Sequence, residues 1–139
     1  MIQWTLYNTA TGAVIRTGSA MTVEQANAQV EPGTNIVMQN LNPATQVVTG
    51  TTPTPRQTQS CVANKTTFTA NGTDFVSISP VEAGALVTIT PPTGVGIEPI
   101  PTQAINDGVL EITTTVAGTY KVVISKFPKQ DFVVNLNAN

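Results

Sequence analysis

The stretch TYKVVISKFPKQDFVVNL at 119–136 decides the fold class of this chain. On either side of the turn segment FPKQ at 127–130, apolar residues recur at every second position: Tyr120, Val122 and Ile124, then Phe132, Val134 and Leu136. A period of two is typical of a strand that buries one face. Two such runs across a short turn predict an antiparallel hairpin.

The residues that precede this hairpin also indicate strands. Asn71-Gly72 predicts a tight turn between two of these strands. The segment 91–108 holds four prolines and three glycines, which disfavours a regular central strand there. Further strands are predicted at 66–70, 75–79, 86–90 and 109–114. Short strands with regular turn signals are typical of a sandwich, so 61–139 is predicted to be an antiparallel β-sandwich.

The first fifty residues indicate a small α+β module. Thr22 and Gln25 match a capping box, and apolar residues at helical spacing follow, so a short helix is predicted over 22–30. Pro32 and Gly33 end it. The other predicted elements are a hairpin of strands at 2–7 and 13–17 and two strands at 34–39 and 45–49.

TTPTPRQTQS at 51–60 contains no large apolar side chain. Pro53 and Pro55 lack a backbone donor and restrict the residues before them. The pattern predicts a spacer. The expected organisation is therefore an α+β docking module at 1–50, a Pro/Thr-rich linker at 51–60 and a β-sandwich at 61–139.

Composition argues against several function classes. Charged residues are 10% of the chain, the formal net charge is -2, and the cations are scattered. Nucleic-acid binding needs clustered cations, so it is not expected. Histidine is absent and there is one cysteine, which removes the commonest general base and metal ligands. No catalytic residue, metal site or cofactor is predicted, and the chain is interpreted as a non-enzyme.

Cys61 cannot form a disulfide within one chain, which fits folding in a reducing cytoplasm. Its expected role is that of a small buried apolar residue, in preference to a reactive thiol. The N-terminal segment lacks the basic start and apolar run of a signal peptide. No apolar run is long enough for a membrane helix, so membrane insertion is not predicted.

Four residues are candidates for binding. Trp4 shares a strand face with Ile2 and Leu6, which favours core packing over sugar stacking. Tyr7 lies on the opposite face and is expected to be freer to face solvent. The long segment 91–108 is either a binding element or an ordinary crossover between sheets, and both interpretations stay open. The candidates are Tyr7, Ile97, Ile100 and Asn106.

Two stretches resemble a known group of proteins. VAGTYKVVISKFPKQDFVVNLNA at 116–138 resembles the last hairpin of immunoglobulin-like modules in tailed-bacteriophage virion proteins, with Gly118, Tyr120, Phe127 and Pro128 at the matching positions. WTLYNTATGAVIRTG at 4–18 resembles the opening hairpin of small phage tail-fibre-associated proteins. Unlike antibody-type domains, the chain has no cysteine pair, and Val122 stands two residues after the tyrosine.

The resemblance implies a viral structural protein of a tailed-phage virion, associated with the tail or tail fibre and assembled in the host cytoplasm. The N-terminal module would dock on other virion proteins. The immunoglobulin-like module would project toward the host surface, with a host glycan as one candidate partner in attachment. The resemblance also implies a homo-oligomer, with a trimer favoured. Two alternatives stay open, a capsid decoration protein and a carbohydrate-binding β-sandwich module.

Overall fold

The computed structural model describes residues 1–139 and is mainly β, as predicted. The chain divides into two compact units, Met1–Gln57 and Thr58–Asn139. No helix in it has the length and apolar character needed to cross a membrane. In chain order the elements are β1 (Ile2–Asn8), β2 (Val14–Ala20), α1 (Val23–Asn27), β3 (Thr34–Val37), β4 (Gln46–Thr49), β5 (Thr52–Pro55), β6 (Val62–Ala63), β7 (Thr67–Phe68), β8 (Val76–Ser79), β9 (Ala85–Thr90), β10 (Gln103–Ile105), β11 (Leu110–Ile112), β12 (Gly118–Ser125) and β13 (Phe132–Ala138).

Strand β1 is the centre of the first unit and is buried on both faces. It pairs antiparallel with β2 on one side and β3 on the other. One face carries Trp4, which clusters with Ala26 of α1. The other face carries Tyr7, which clusters with Leu41 and Val48. The expectation that Tyr7 faces solvent is therefore wrong: its side chain is 2% exposed, because later segments of the unit cover the second face.

The helix is shorter than the predicted 22–30 and covers only Val23–Asn27. Its capping box is present, since the Thr22 hydroxyl accepts from the Gln25 N–H at 3.2 Å. The Gln25 side chain reaches back one residue further than expected and accepts from the Met21 N–H at 3.0 Å. Ala26 is the only buried residue of the helix. Because tertiary packing supplies most helical stability, such a small buried face gives little support to a second turn.

The predicted linker at 51–60 is wrong at four of its ten residues, because Thr52–Pro55 forms strand β5. This strand pairs antiparallel with β4 and belongs to the first unit. The Arg56 N–H donates to the Thr45 carbonyl at 2.8 Å, so N–H groups at even-numbered positions face β4. Pro53 and Pro55 occupy the alternate positions, whose nitrogens face away. Prolines at those positions of an edge strand remove no ladder hydrogen bond.

The second unit holds two sheets around one core, an arrangement consistent with a β-sandwich. The larger sheet has the order β10-β9-β12-β13-β7 and the smaller one β11-β8-β6. Both contribute to a single buried cluster, for example Val122 and Leu136 from the larger sheet and Val76 and Ile78 from the smaller. Every pairing is antiparallel except β7 with β13, which is parallel.

The proline-rich segment contributes one short strand. Residues 91–102 contain no helix or strand, and Gln103–Ile105 forms β10 at the edge of the larger sheet. An edge position fits the prediction that no regular central strand would form here. We call residues 91–102 the proline loop.

Candidate functional site

A cleft of the second unit lies between the proline loop and strands β9 and β11. It consists of two adjoining hollows of ≈ 160 Å³ and ≈ 280 Å³, which share Ile89, Ile100 and Glu111 as lining residues. Val87, Ile105 and Leu110 complete the apolar part of the first hollow, and Ile97, Ile112 and Tyr120 that of the second. The lining is thus mainly apolar, and Glu111 is its one charged residue.

The loop sequence explains why this surface is not closed by a strand. Its four prolines fix φ and lack N–H donors, so the loop cannot form a regular ladder with a neighbouring strand. Ile97 packs against the core cluster and holds the loop over the cleft. No hydrogen bond joins the loop to β11; its one side-chain bond lies between the hydroxyls of Thr102 and Thr88, which are 3.0 Å apart.

Strand β11 presents an open backbone edge to this cleft. Ser77 of β8 pairs with Glu111 in register, yet its N–H donates to the Asn64 side chain and its carbonyl accepts from the Asn64 N–H, both at 2.9 Å. The Glu111–Ser77 pair is therefore a non-hydrogen-bonded pair of the antiparallel ladder. Consequently the N–H and C=O of Glu111 point away from β8, toward the open edge.

The charge beside the cleft is negative. Glu111 is exposed and lines both hollows, and no lysine or arginine lines either of them. Two cations of the unit are paired elsewhere, Lys65 with Asp74 and Lys129 with Glu82. Lys121 alternates with buried Tyr120 and Val122, so it lies on the outer face of the larger sheet.

Of the four predicted binding residues, the structure brings two together. Ile97 and Ile100 both line the cleft. Asn106 is exposed in the segment that follows β10 and lines neither hollow. Tyr7 belongs to the first unit, where its hydroxyl donates to the Gly50 carbonyl at 3.4 Å. Sequence reasoning missed Glu111; the sequence shows only the apolar–polar–apolar triplet LEI, and the open side of this strand is seen in the structure.

Lys65, Asp74 and Cys61 of the second unit line neither hollow and make local contacts. Lys65 donates to the Asp74 carboxylate at 2.5 Å and the Thr69 N–H donates to it at 2.8 Å; these bonds hold the pKa of Asp74 below its usual 3.8. Burial raises the pKa of the Cys61 thiol above 9.0, which keeps it in the unreactive protonated form. No group of three or more His, Cys, Asp or Glu side chains is placed to hold a metal ion.

Comparison with known proteins assigns no family. The chain matches no protein-family model, and no curated protein or solved structure matches it.

Proposed function

We propose that the chain is a non-enzymatic structural protein of a tailed-phage virion, associated with the tail or tail fibre, and that its second unit is an immunoglobulin-like sandwich. The first unit docks on other virion proteins, and the second unit projects. The resemblance of 116–138 and 4–18 to phage virion modules motivates the virion assignment. The strand order and one buried tyrosine support the immunoglobulin-like part.

The strand order fits an immunoglobulin-like arrangement. In such domains strands A, B and E share one sheet, and C, F and G share the other. Here β6, β8 and β11 form one sheet, and β9, β12 and β13 lie together in the other. The core position two residues after the tyrosine is filled by Val122, which is fully buried and replaces the cysteine of antibody-type domains.

Tyr120 is the observation that carries this part of the proposal. Its hydroxyl donates to the Val116 carbonyl, four residues upstream, at 2.9 Å, and it lies 2.8 Å from the Thr114 hydroxyl. The ring is 3% exposed near the start of β12. A tyrosine at the start of strand F that bonds back to upstream backbone is the tyrosine corner of immunoglobulin-like sandwiches.

Exposed methionines support docking through the first unit. Ile2 pairs with Ala20, so Met1 and Met21 lie at the same end of the β1–β2 hairpin. They are 87% and 75% exposed. Flexible thioether side chains adapt to irregular partner surfaces. The side chains of Trp4, Tyr7 and Tyr120 are all buried, so the proposal includes no glycan-stacking surface built from them.

The test is the position of the chain in particles of the phage that encodes it. Gradient-purified particles are labelled with an antibody against residues 58–139, and gold is expected at the tail or its fibres. Gold on the head would overturn the tail assignment in favour of a decoration protein, and absence of the chain from particles would overturn the virion assignment altogether. A homo-oligomer, with a trimer favoured, is expected on the particle.

A matched pair of variants tests which unit docks. Met21→Asp places a charge in the proposed docking surface, whereas Val133→Asp places one at an apolar residue of the second unit that is 52% exposed. Incorporation into particles is expected to fall at least about tenfold for Met21→Asp alone, since burying an unpaired charge at an interface is costly. Equal incorporation of the two variants would refute docking through the first unit.

A further inference from the structure

We infer that the open edge of β11 and the adjoining cleft accept an extended segment of another protein as an added strand, with a Lys or Arg flanked on both sides by apolar residues. This inference rests on the geometry of the second unit and does not depend on the virion assignment.

The backbone provides one half of the site. The N–H and C=O of Glu111 point away from β8, and no side chain, loop or strand of the chain bonds to them. The Gly108 and Thr114 carbonyls accept from the N–H groups of Val81 and Gly72, residues that follow and precede β8 in the chain, which agrees with even-numbered positions facing the β8 side and odd-numbered ones the open edge. Unpaired groups in this pattern are a template for strand addition.

The hollows provide the other half. Leu110 and Ile112 point into the core on either side of Glu111. In an added strand, the residues opposite these two would point the same way, because facing residues of paired strands lie on one face of the sheet. They would meet the hollows of ≈ 160 Å³ and ≈ 280 Å³ that are lined by Ile89 and Ile100. Alternate apolar side chains therefore fit the cleft.

Charge decides the residue between them. The side chain opposite Glu111 would lie on the outer face of the sheet, beside the exposed Glu111 carboxylate, and no lysine or arginine lines either hollow. Opposite charges on facing strand positions are favourable, and like charges are unfavourable. The incoming segment is thus expected to read apolar–basic–apolar.

The same charge disfavours a second copy of this chain as the occupant. Antiparallel self-pairing of β11 centred on Glu111 would place the two Glu111 carboxylates directly opposite each other. A shift in register by two residues would relieve this repulsion, but only by leaving part of a three-residue strand unpaired. The complementary occupant is a segment of a different protein.

The test uses the full chain and the capped peptide SGTIKITGS, with SGTIEITGS as its charge-reversed control. Binding is followed by two-dimensional amide NMR and hydrogen exchange. The Lys peptide is expected to shift signals of Val109–Thr113 and of Ile97 and Ile100, and to slow exchange of the Glu111 amide. The Glu peptide is expected to bind about tenfold more weakly. Equal affinities of the two peptides would refute the charge argument. Signal shifts confined to other strand edges, or no signal shifts at roughly 1 mM peptide, would refute the site.

Three variants of the chain separate specificity from folding. Glu111→Lys changes an exposed side chain and is expected to reverse the peptide preference, so that the Glu peptide binds about tenfold more tightly than the Lys peptide. Ile100→Asp places a charge in both hollows and is expected to abolish binding, while Val95→Asp, on an exposed loop residue outside the cleft, leaves it unchanged. An unchanged preference in Glu111→Lys, or equal binding by the two loop variants, would overturn the inference.

Discussion

Replacing Tyr120 by Phe removes one hydroxyl and keeps the buried ring. The lost bond to the Val116 carbonyl is 2.9 Å long, and a typical neutral hydrogen bond contributes about 1 kcal/mol. A carbonyl left unsatisfied would add a penalty of about 1–3 kcal/mol. The Thr114 hydroxyl, 3.5 Å from the same carbonyl, recovers part of it. We therefore expect the free energy of unfolding of the second unit to fall by about 1–2 kcal/mol.

Tyr7→Phe is the matched control. Its ring is 2% exposed, but its hydroxyl bond to the exposed Gly50 carbonyl is 3.4 Å long, so the expected loss in the first unit is below about 0.5 kcal/mol. Trp4 is the only tryptophan and lies in the first unit, so its fluorescence follows Tyr7→Phe. The Tyr120→Phe transition in urea is followed by the amide NMR signals of β12. A loss for Tyr120→Phe no larger than that for Tyr7→Phe would refute the stabilising role of the corner.

Three further predictions concern local features. A Cβ at Gly18 would lie 2.4 Å from Cζ2 of Trp4, so Gly18→Ala should cost about 1–3 kcal/mol by urea unfolding followed by tryptophan fluorescence; an unchanged midpoint would contradict the close packing. Thr22→Ala removes the helix cap and should cost about 1 kcal/mol by the same assay, whereas Thr22→Ser should retain the cap. The folded-state pKa of Asp74 is depressed, so its bond to Lys65 stabilises the fold above pH 3.8 and is lost as the pH falls through the folded-state pKa. The difference in stability between wild type and Asp74→Asn should therefore shrink below pH 3.8. A difference that grows there would contradict the pairing.

The strands of the second unit could be predicted because their apolar residues alternate and face one core. The period-two pattern at 119–136 gave β12 and β13 within two residues of their observed bounds. The residues of the cleft could be predicted only in part. The place of Ile97 and Ile100 in a long irregular segment makes them candidates. The role of Glu111 depends on which side of β11 lacks a partner, and local periodicity does not encode pairing partners.

Two of the corrections in the first unit, those for Tyr7 and for the linker, share one cause. The alternation of β1 showed that one face is buried but could not show that Leu41 and Val48 cover the face that carries Tyr7. Taken one at a time, Pro53 and Pro55 indicate only that a backbone donor is missing and that φ is fixed. Their spacing of two places both nitrogens on the same side of a strand. This allows a strand to form here because β4 pairs with the other side.

The spacing of Pro53 and Pro55 affects whether another strand can pair with the outer edge of β5. The outer margin of β5 displays carbonyl acceptors at Pro53 and Pro55 but no amide hydrogens between them, so an approaching strand would find only half of the bonds it needs. The outer edge of β5 is therefore a poor template for a further strand. Strand β11 keeps both the donor and the acceptor of Glu111, so of these two edges only β11 offers a complete set of backbone groups to an added strand.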